Sequence, residues 1–254
     1  MDNNKKKYIE NGYFITQVLT NTECDKINNF VNNNEKNGYY EKYSKKKFGY
    51  KFDEEDLPFK LITTNNLIND FGCEILEEFN FSVIKSFYKS EFMARDIEYH
   101  QEFQYNSHHP SRGNWKDYVQ IFIALEDHSL ENACLKIIPK SHHLGLLPYQ
   151  DIVNSNLEHK RAVEYNALKK AYQKYGILNC QLKKGEAIFF NHLIIHGSQN
   201  NNSPFSRRAL VCTLFKKNLL INKKEYELFE KSRILFTIKQ LNDKVDELNR
   251  KLIS

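Results

Sequence analysis

The stretch NCQLKKGEAIFFNHLIIHGS, residues 179–198, carries the pattern that decides the fold. Its Lys184-Gly185 pair is typical of a turn, and the apolar run that follows has too little helical amphipathicity for a surface helix. We therefore predict β-strand here. The four-residue spacing of His192 and His196 is compatible with one face of such a strand.

Short β-type segments extend outward from this stretch, between residues 92 and 215, and a helical insert at about 156–175 interrupts them. They read IEYHQEFQY, YVQIFIALE, CLKIIP and RRALVCTLF. Several short strands separated by turns indicate a sandwich or a barrel.

A strand and helices are predicted before this β-rich region. NGYFITQVL, residues 11–19, predicts a short strand. Thr20, with Glu23 three residues later, is a capping-box signature that opens a helix. From Leu67 to about Tyr88 the apolar spacing indicates a further helix.

Residues 218–254 carry a heptad-like seam with charged residues between its members. The seam consists of Ile234, Ile238, Leu241, Val245, Leu248 and Leu252. It is shorter than three heptads, so it predicts a C-terminal helical extension that either docks on the same chain or forms a homodimer.

Composition and charge narrow the class of protein. The 254 residues are 41% hydrophobic and 27% charged, and the net charge of +5 is spread along the chain, which does not indicate nucleic-acid binding. Five cysteines without a C-x-x-C pair suit a reducing cytoplasm. The sequence has no run of about 18 apolar residues and no signal-peptide pattern, so we predict a cytoplasmic protein without a membrane partner.

A histidine and a glutamate two positions apart in IEYHQEFQY suggest part of a metal site. In a strand, His100 and Glu102 would point to the same face, with Cα atoms about 7 Å apart, and could bind one ion. With one distant histidine they would form the two-histidine, one-carboxylate set of non-haem Fe(II) oxygenases. Taken alone the pair is weak evidence, because solvent-facing strands carry such tripeptides by chance. Spacing alone does not separate His192 from His196 as the third ligand. The sequence contains no H-E-x-x-H motif, which would have indicated zinc.

Four blocks in the same order resemble the phytanoyl-CoA dioxygenase family of Fe(II)/2-oxoglutarate-dependent oxygenases, from about residue 8 to 217. YIENGYFITQVLTNTECDKI is similar to the family's opening strand and helix, and YHQEF to its W-H-Q-D metal motif. VQIFIALEDHSLENACLKIIPKSHHLG is similar to its central run, and KKGEAIFFNHLIIHGSQNNNSPFSRRAL to its closing H-G-S block with a later arginine. The resemblance implies a mainly β protein with a double-stranded β-helix (jelly-roll, cupin-like) core in residues 1–217, N-terminal helices packed on one sheet, and a C-terminal helix.

The resemblance also implies a role for each matching residue. His100, Glu102 and His196 would bind iron, which leaves His192 as a core residue or one that supports the ligands. Arg207 lies eleven residues beyond His196, as in the family pattern, and would clamp the distal carboxylate of 2-oxoglutarate in bidentate fashion.

Other polar residues complete the implied pocket. Ser198 would hydrogen-bond the same carboxylate. Gln120 is a candidate contact, because its strand lines the cosubstrate pocket in relatives, with a plain core strand as the alternative. Arg208 is expected to be a neighbouring surface charge. The loop SHHPSRGNWKD lies near the substrate in the family, and an ordinary exposed loop is the alternative; its candidate substrate residues are His108, His109, Arg112 and Trp115.

Three residues depart from the family pattern. Glu102 replaces the usual aspartate and is one methylene longer, and Ala133 and Lys140 replace glycines at expected turns. Because a carboxylate is kept at position 102, the pattern favours hydroxylation over halogenation.

We predict an oxygenase that uses Fe(II), 2-oxoglutarate and O2 to hydroxylate an unactivated C–H bond of a small or medium polar metabolite, with succinate and CO2 as coproducts. Desaturation or oxidative demethylation at the same iron centre is the alternative reaction. A non-catalytic jelly-roll binding protein with a relic site is the alternative of another class, and the intact ligand set argues against it.

Overall fold

The computed structural model describes residues 3–36, 49–82, 84–93, 96–105, 113–152, 161–217 and 219. The candidate substrate residues His108, His109 and Arg112 lie outside these ranges. So does the predicted C-terminal helix of residues 218–254, apart from residue 219. The division of the chain at residue 217 therefore stays a prediction.

Four of the five α-helices in these ranges precede most of the strands. They are α1 (Asn3–Asn11), α2 (Asn21–Lys36), α3 (Leu57–Thr63), α4 (Asn66–Leu76) and α5 (Tyr165–Tyr175). Helix α2 begins as predicted, because Glu23 N donates to Thr20 Oγ1 at 3.2 Å and Thr20 N donates to Glu23 Oε2 at 2.8 Å. Within the described part of the chain, no helix has both the length and the apolar character needed to cross a membrane.

Thirteen strands in the same ranges form two larger sheets and one two-stranded sheet. They are β1 (Tyr13–Gln17), β2 (Gly49–Lys51), β3 (Phe79–Phe81), β4 (Lys85–Lys89), β5 (Ile97–His100), β6 (Tyr118–Ala124), β7 (Leu135–Ile138), β8 (Tyr149–Asp151), β9 (Arg161–Val163), β10 (Leu178–Cys180), β11 (Glu186–Asn191), β12 (Ile195–Ser198) and β13 (Arg207–Lys216). The first sheet has the order β1-β11-β6-β13-β4-β2, with β3 also paired to β13. The second has the order β10-β7-β12-β5, and β8 pairs with β9. The paired strands run antiparallel.

The first sheet is covered on both faces. Successive side chains of a strand point in opposite directions, so neighbouring residues of β11 contact different layers. On its outer face, Phe14 of β1 stacks on Phe189 of β11 with ring centroids 4.6 Å apart, and Phe71 of α4 packs edge-on against Phe189 at 5.3 Å. On its inner face, Phe190 of β11 reaches His196 of β12 in the second sheet, at 4.8 Å between ring centroids. Two facing sheets with N-terminal helices on one outer face form a jelly roll, which confirms the predicted fold class.

Two of the predicted helices are shorter than expected. The helix expected over residues 67–88 is α4, and it ends at Leu76, because Glu77 takes a positive φ of 67° and stops the helical hydrogen bonding. The residues after it form β3 and β4. The insert expected at about 156–175 contains strand β9 before its helix, and α5 starts at Tyr165.

Lys140, which stands where the family pattern has glycine, has a left-handed backbone conformation. Its φ is 61°, its side chain is exposed, and its backbone N–H donates to Asn11 O at 2.8 Å. A residue with a Cβ loses roughly 1–2 kcal/mol of conformational free energy in this region of backbone space.

We expect Lys140→Gly to raise the free energy of unfolding by about 1 kcal/mol, measured by denaturant titration. Lys140→Ala is the matched control, and an equal gain from alanine would contradict the explanation.

Candidate metal centre

Two histidines face each other across strands β5 and β12. The strands pair antiparallel with His196 directly opposite His100, and both side chains are buried. His100 Nδ1 lies 2.7 Å from Glu98 O, and His196 Nδ1 lies 3.0 Å from Ile194 O, so the carbonyl two residues earlier holds each ring. In the tautomer in which Nδ1 donates to that carbonyl, the Nε2 lone pair of each ring would be available to bind a metal.

Glu102 reaches the same point through a turn rather than through strand alternation. The expectation that His100 and Glu102 share a strand face is wrong, because β5 ends at His100 and a 3-10 helix, Glu102–Tyr105, begins two residues later. Glu102 Oε1 lies 3.7 Å from His100 Nε2 and 3.2 Å from His196 Nε2. One ligand atom from each of the three residues lies within 4.8 Å of the others.

The electrostatics of this cluster suit a divalent cation. Burial acts to raise the pKa of Glu102, but the adjacent imidazoles of His100 and His196 outweigh it and hold the pKa well below its usual value. Burial, aided by the neighbouring His100, lowers the pKa of His196. Among the described residues, no lysine or arginine forms a salt bridge with Glu102, whose side chain is 22% exposed. One carboxylate and two imidazoles form the donor set of non-haem Fe(II) sites, so these residues fit that metal.

Gln101, between two of the proposed ligands, fixes the turn that carries Glu102. Its side chain is fully buried, and its Nε2 donates to Leu193 O at 2.7 Å and to Gly145 O at 3.0 Å. Its Oε1 accepts from Leu147 N at 2.8 Å. One amide therefore ties the turn to the connection between β11 and β12 and to the loop before β8. Sequence reasoning missed this role, because none of the three partners is near Gln101 in the chain.

We expect Gln101→Leu to weaken Fe(II) binding by roughly 10- to 100-fold, which is typical for loss of a group that orients metal ligands. Leucine fills a similar volume but leaves three backbone groups, one of them buried, without their amide partner. Anaerobic Fe(II) titration measures the effect. Gln17→Leu is the control, because Gln17 Nε2 also donates to two backbone carbonyls, those of Leu19 and Lys184, but lies outside the turn; it should change the affinity by less than about threefold. Equal affinities for Gln101→Leu and the wild type would contradict this role.

His192 lies in the turn between β11 and β12, so the expectation that it shares a strand face with His196 is wrong. Its ring stacks on Tyr118, with centroids 4.8 Å apart and an interplanar angle of 18°. Burial lowers its pKa to about 4, and neither ring nitrogen has a hydrogen-bond partner among the described residues. It is not a member of the three-residue cluster. The geometry thus favours His196 over His192 as the third ligand.

Arg207, at the start of β13, points into the space between the two sheets. It is the largest fully buried side chain in the described ranges. Its Nη1 donates to Ala133 O at 2.5 Å, and its guanidinium lies 5.6 Å from the ring centroid of Phe122. Burial lowers the pKa of Arg207 to about 10, so the group stays cationic near neutral pH. Its Nε has no hydrogen-bond partner in the part of the chain that the structure describes.

Ser198 and Gln120 are buried residues of strands that border this space. Ser198 lies two residues beyond His196 on β12, and its Oγ has no hydrogen-bond partner among the described residues. Gln120 of β6 accepts a hydrogen bond from Thr213 Oγ1 at 2.6 Å. The three residues predicted to contact 2-oxoglutarate are therefore all in the jelly-roll interior, and their binding roles stay a proposal.

Comparison with known proteins decides the family. The model of the family described as phytanoyl-CoA dioxygenase (PhyH) matches residues 8–209, which is most of the chain. The chain belongs to the PhyH family. PhyH proteins are non-haem iron oxygenases, and their cofactor set of iron and 2-oxoglutarate suits a cluster of two histidines and one carboxylate.

Individual PhyH relatives are similar over part of their length. A phytanoyl-CoA dioxygenase domain-containing protein 1 homolog of Dictyostelium discoideum is 29% identical over 128 residues, 50% of this chain and 43% of the relative. An L-proline trans-4-hydroxylase of Streptomyces griseoviridis is 29% identical over 127 residues, 45% of this chain and 46% of that protein. The chain thus spans less than half of the length of these curated relatives. EctD from S. alaskensis, solved with 2-oxoglutarate and 5-hydroxyectoine, has a TM-score of 0.69 at 16% identity, covering 85% of this chain and 76% of its own, which supports the fold.

Ala133, the other PhyH-family glycine position that has changed, keeps the left-handed conformation of a glycine turn. Its φ is 64°, and its carbonyl oxygen is the acceptor for Arg207 Nη1. The substitution is therefore tolerated at the turn that contacts the arginine of the PhyH motif, although a Cβ makes this conformation less favourable.

Arg208, which follows the arginine of the PhyH motif, is buried, so the expectation of a surface charge is wrong. Because side chains alternate along a strand, it points to the face opposite Arg207. There its Nη1 donates to Asn28 Oδ1 of α2 at 3.2 Å, and its guanidinium lies 5.0 Å from the ring centroid of Tyr88. This second arginine therefore packs against the helix layer and is not exposed to solvent.

Trp115, the remaining predicted substrate residue, lies in a 3-10 helix, Trp115–Asp117. Asn114 caps that helix by accepting from Lys116 N at 3.4 Å, and the Lys116 ammonium lies 5.3 Å from the centroid of the Trp115 ring. These contacts account for the position of Trp115 and link it to none of the proposed metal ligands. Its role in substrate binding stays a prediction.

Proposed function

We propose that this chain is an Fe(II)- and 2-oxoglutarate-dependent dioxygenase that hydroxylates an unactivated C–H bond of a small or medium polar metabolite. In the proposed reaction, one oxygen atom of O2 enters the substrate as a hydroxyl group. The other enters succinate, which forms from 2-oxoglutarate with loss of CO2. The observation that carries the proposal is the cluster of His100, Glu102 and His196, whose ligand atoms lie within 4.8 Å of one another.

In this proposal His100, Glu102 and His196 would hold the metal as a set of two imidazoles and one carboxylate. Iron with 2-oxoglutarate and O2 supplies an oxidant strong enough to break an unactivated C–H bond. The chain itself supplies ligand geometry, because the carbonyls of Glu98 and Ile194 orient both imidazoles. It also supplies a closed interior, since the histidine ligands are at most 5% exposed.

Arg207 would bind the distal carboxylate of 2-oxoglutarate through two parallel charge-assisted hydrogen bonds. Its burial supports this role, because a buried guanidinium is costly without a counter-charge and no carboxylate forms a salt bridge with it in the described ranges. Ser198 Oγ would donate to the same carboxylate, and Gln120 would contact the cosubstrate nearer the metal.

The substrate class is proposed from chemistry and from relatives. The names of two similar proteins, L-proline trans-4-hydroxylase and EctD with 5-hydroxyectoine, refer to small polar molecules. The predicted substrate residues His108, Arg112 and Trp115 would suit an anionic or polar group. These points support a polar metabolite.

Anaerobic titration tests the proposal. Addition of Fe(II) and then 2-oxoglutarate to the purified protein should produce a weak visible charge-transfer band, and His196→Ala should not give it. Absence of the band in the wild-type protein would overturn the oxygenase proposal and favour a binding protein with a relic site. A succinate-release screen over amino acids, sugars, phosphonates and acyl-CoAs then identifies the substrate. Mass analysis of the product separates hydroxylation (one oxygen gained) from desaturation (two hydrogens lost) and from demethylation.

A further inference from the structure

Arg161, the first residue of β9, contacts the short helix that carries Glu102. Its Nη1 donates to the carbonyl oxygen of Gln104 in that 3-10 helix. Its guanidinium lies 5.7 Å from the ring centroid of Tyr105, and that ring packs edge-on against His100 with centroids 5.9 Å apart. One aromatic ring therefore contacts both this cation and a proposed metal ligand.

The hairpin of β8 and β9 supplies a second tyrosine to the same guanidinium. Arg161 is directly opposite Asp151 in the antiparallel pairing of the two strands, and Tyr149 lies two residues before Asp151. The three side chains therefore share one face of the hairpin. The ring centroid of Tyr149 lies 4.8 Å from the guanidinium carbon. Because a guanidinium is planar, contacts with aromatic rings leave the N–H groups at its edge for hydrogen bonds.

Asp151 is a weak counter-charge for Arg161. Within the described ranges, the salt bridge of this arginine joins its Nε to Asp151 Oδ1 at 3.4 Å, and the aspartate side chain is 68% exposed, against 25% for the arginine. An ion pair with so exposed a partner contributes little to stability. A guanidinium has five N–H donors, and the contacts with Gln104 and Asp151 engage only two of its nitrogens. The other donors can bind an anion of better geometry.

Arg161 and both tyrosines lie outside the blocks that resemble the PhyH family. The metal block ends at Phe103, the central block ends at Gly145, and the closing block begins at Lys183. The motifs therefore give none of these three residues a role in binding iron or 2-oxoglutarate. An arginine with aromatic neighbours beside a metal ligand suits the remaining reactant, the substrate.

We propose that Arg161, flanked by Tyr105 and Tyr149, binds an anionic group of the substrate, either a carboxylate or a phosphate. Both anions match the planar fork of a guanidinium. The inference rests on the proposed function and narrows its substrate from a polar metabolite to an anionic one. It assigns the charged group to residues other than the proposed cosubstrate residues Arg207 and Ser198.

Small anions and a paramagnetic metal test this site before the substrate is known. The probes are methylphosphonate and acetate, added to protein that carries Mn(II) in place of Fe(II) and is saturated with 2-oxoglutarate. Mn(II) broadens the NMR signals of nuclei near it, and the concentration dependence of the broadening gives the Kd of each probe. We expect Arg161→Met to raise the Kd of the bound probe about 10- to 100-fold, in line with loss of hydrogen bonds to a charged group. The probe that binds the wild type more tightly identifies the anionic group as phosphate or carboxylate.

Lys136→Met is the matched control, because it removes one positive charge from β7, outside the proposed site, and should leave the Kd within about twofold. Equal broadening in Arg161→Met and the wild type would overturn the inference, because the anion would then be bound without Arg161. Wild-type protein that binds Mn(II) and 2-oxoglutarate but neither probe would also overturn the inference and leave the proposed function standing. Wild-type protein that binds neither the metal nor 2-oxoglutarate would overturn both.

The Mn(II) affinity of Arg161→Met separates anion binding from a structural role. It should stay within about threefold of the wild-type value, and a fall of about tenfold or more would overturn the inference, because it identifies Arg161 as a residue that positions Glu102. If Arg161→Met does not fold, Asp151→Asn gives the test. Loss of the competing carboxylate should lower the Kd of the bound probe about two- to fivefold. Equal or weaker probe binding in Asp151→Asn would then overturn the inference.

Discussion

Replacing His196 with alanine is expected to lower Fe(II) affinity by more than about 100-fold, because it removes one of the three proposed protein ligands. His192→Ala is expected to leave the affinity within about threefold. Both histidines are buried, and both substitutions delete the same ring from the interior. The difference between them therefore isolates metal binding from packing. Anaerobic Fe(II) titration with a competing chelator measures both constants.

The unfolding temperatures of the two histidine variants provide a control for effects on stability. His196→Ala removes a hydrogen bond to Ile194 O and a contact with Phe190, whereas His192→Ala removes the stack on Tyr118. Each variant should lower the unfolding temperature, and added Fe(II) should raise it again in His192→Ala but not in His196→Ala. Iron binding that survives in His196→Ala and disappears in His192→Ala would reverse the ligand assignment.

Arg207→Ala is the second change with a large expected effect. Removal of one partner from a buried, hydrogen-bonded ion pair costs roughly 2–5 kcal/mol, so the Kd of 2-oxoglutarate should rise by about 30-fold or more. Arg208→Ala should leave this Kd within about threefold and instead lower the free energy of unfolding, because Arg208 contacts Asn28 and Tyr88 in the helix layer. Oxoacid titration and denaturant unfolding of the two variants separate these effects.

Arg207→Lys tests the geometry as distinct from the charge. Lysine keeps the positive charge but cannot form two parallel hydrogen bonds to one carboxylate. We expect an affinity for 2-oxoglutarate between those of Arg207→Ala and the wild type. An Arg207→Ala protein that binds 2-oxoglutarate as well as Arg208→Ala does would refute the assignment of the cosubstrate arginine.

Much of the fold follows from local patterns in the sequence. Helix α2 could be predicted because Thr20 and Glu23 satisfy each other's backbone groups without help from the rest of the chain. Helix α1 was not predicted, because only Tyr8 is buried among its nine residues and its apolar stripe is minimal. Distant groups hold its end in place: Lys140 N and His142 Nε2 bond to the carbonyls of Asn11 and Ile9.

The candidate site likewise has a part that the sequence predicts and a part that depends on distant contacts. The residue types and the order of the motifs pointed to His100, Glu102, His196 and Arg207, because metal and carboxylate chemistry restricts which side chains can serve. The turn that brings Glu102 to the histidines was not predictable from strand periodicity. It depends on the hydrogen bonds of Gln101 to segments more than 40 residues away.

The two arginines at the start of β13 have a consequence for how this chain can evolve. Both faces of β13 are largely buried, so its apolar residues do not by themselves fix which face each side chain takes. Asn201 instead anchors the connection from β12, donating to Ser90 O and Phe205 O at 2.8 and 2.7 Å. Insertion or deletion of one residue in segment 199–206 would exchange the inward and outward arginines. The number of residues in that connection therefore determines which of the two arginines faces the space between the sheets.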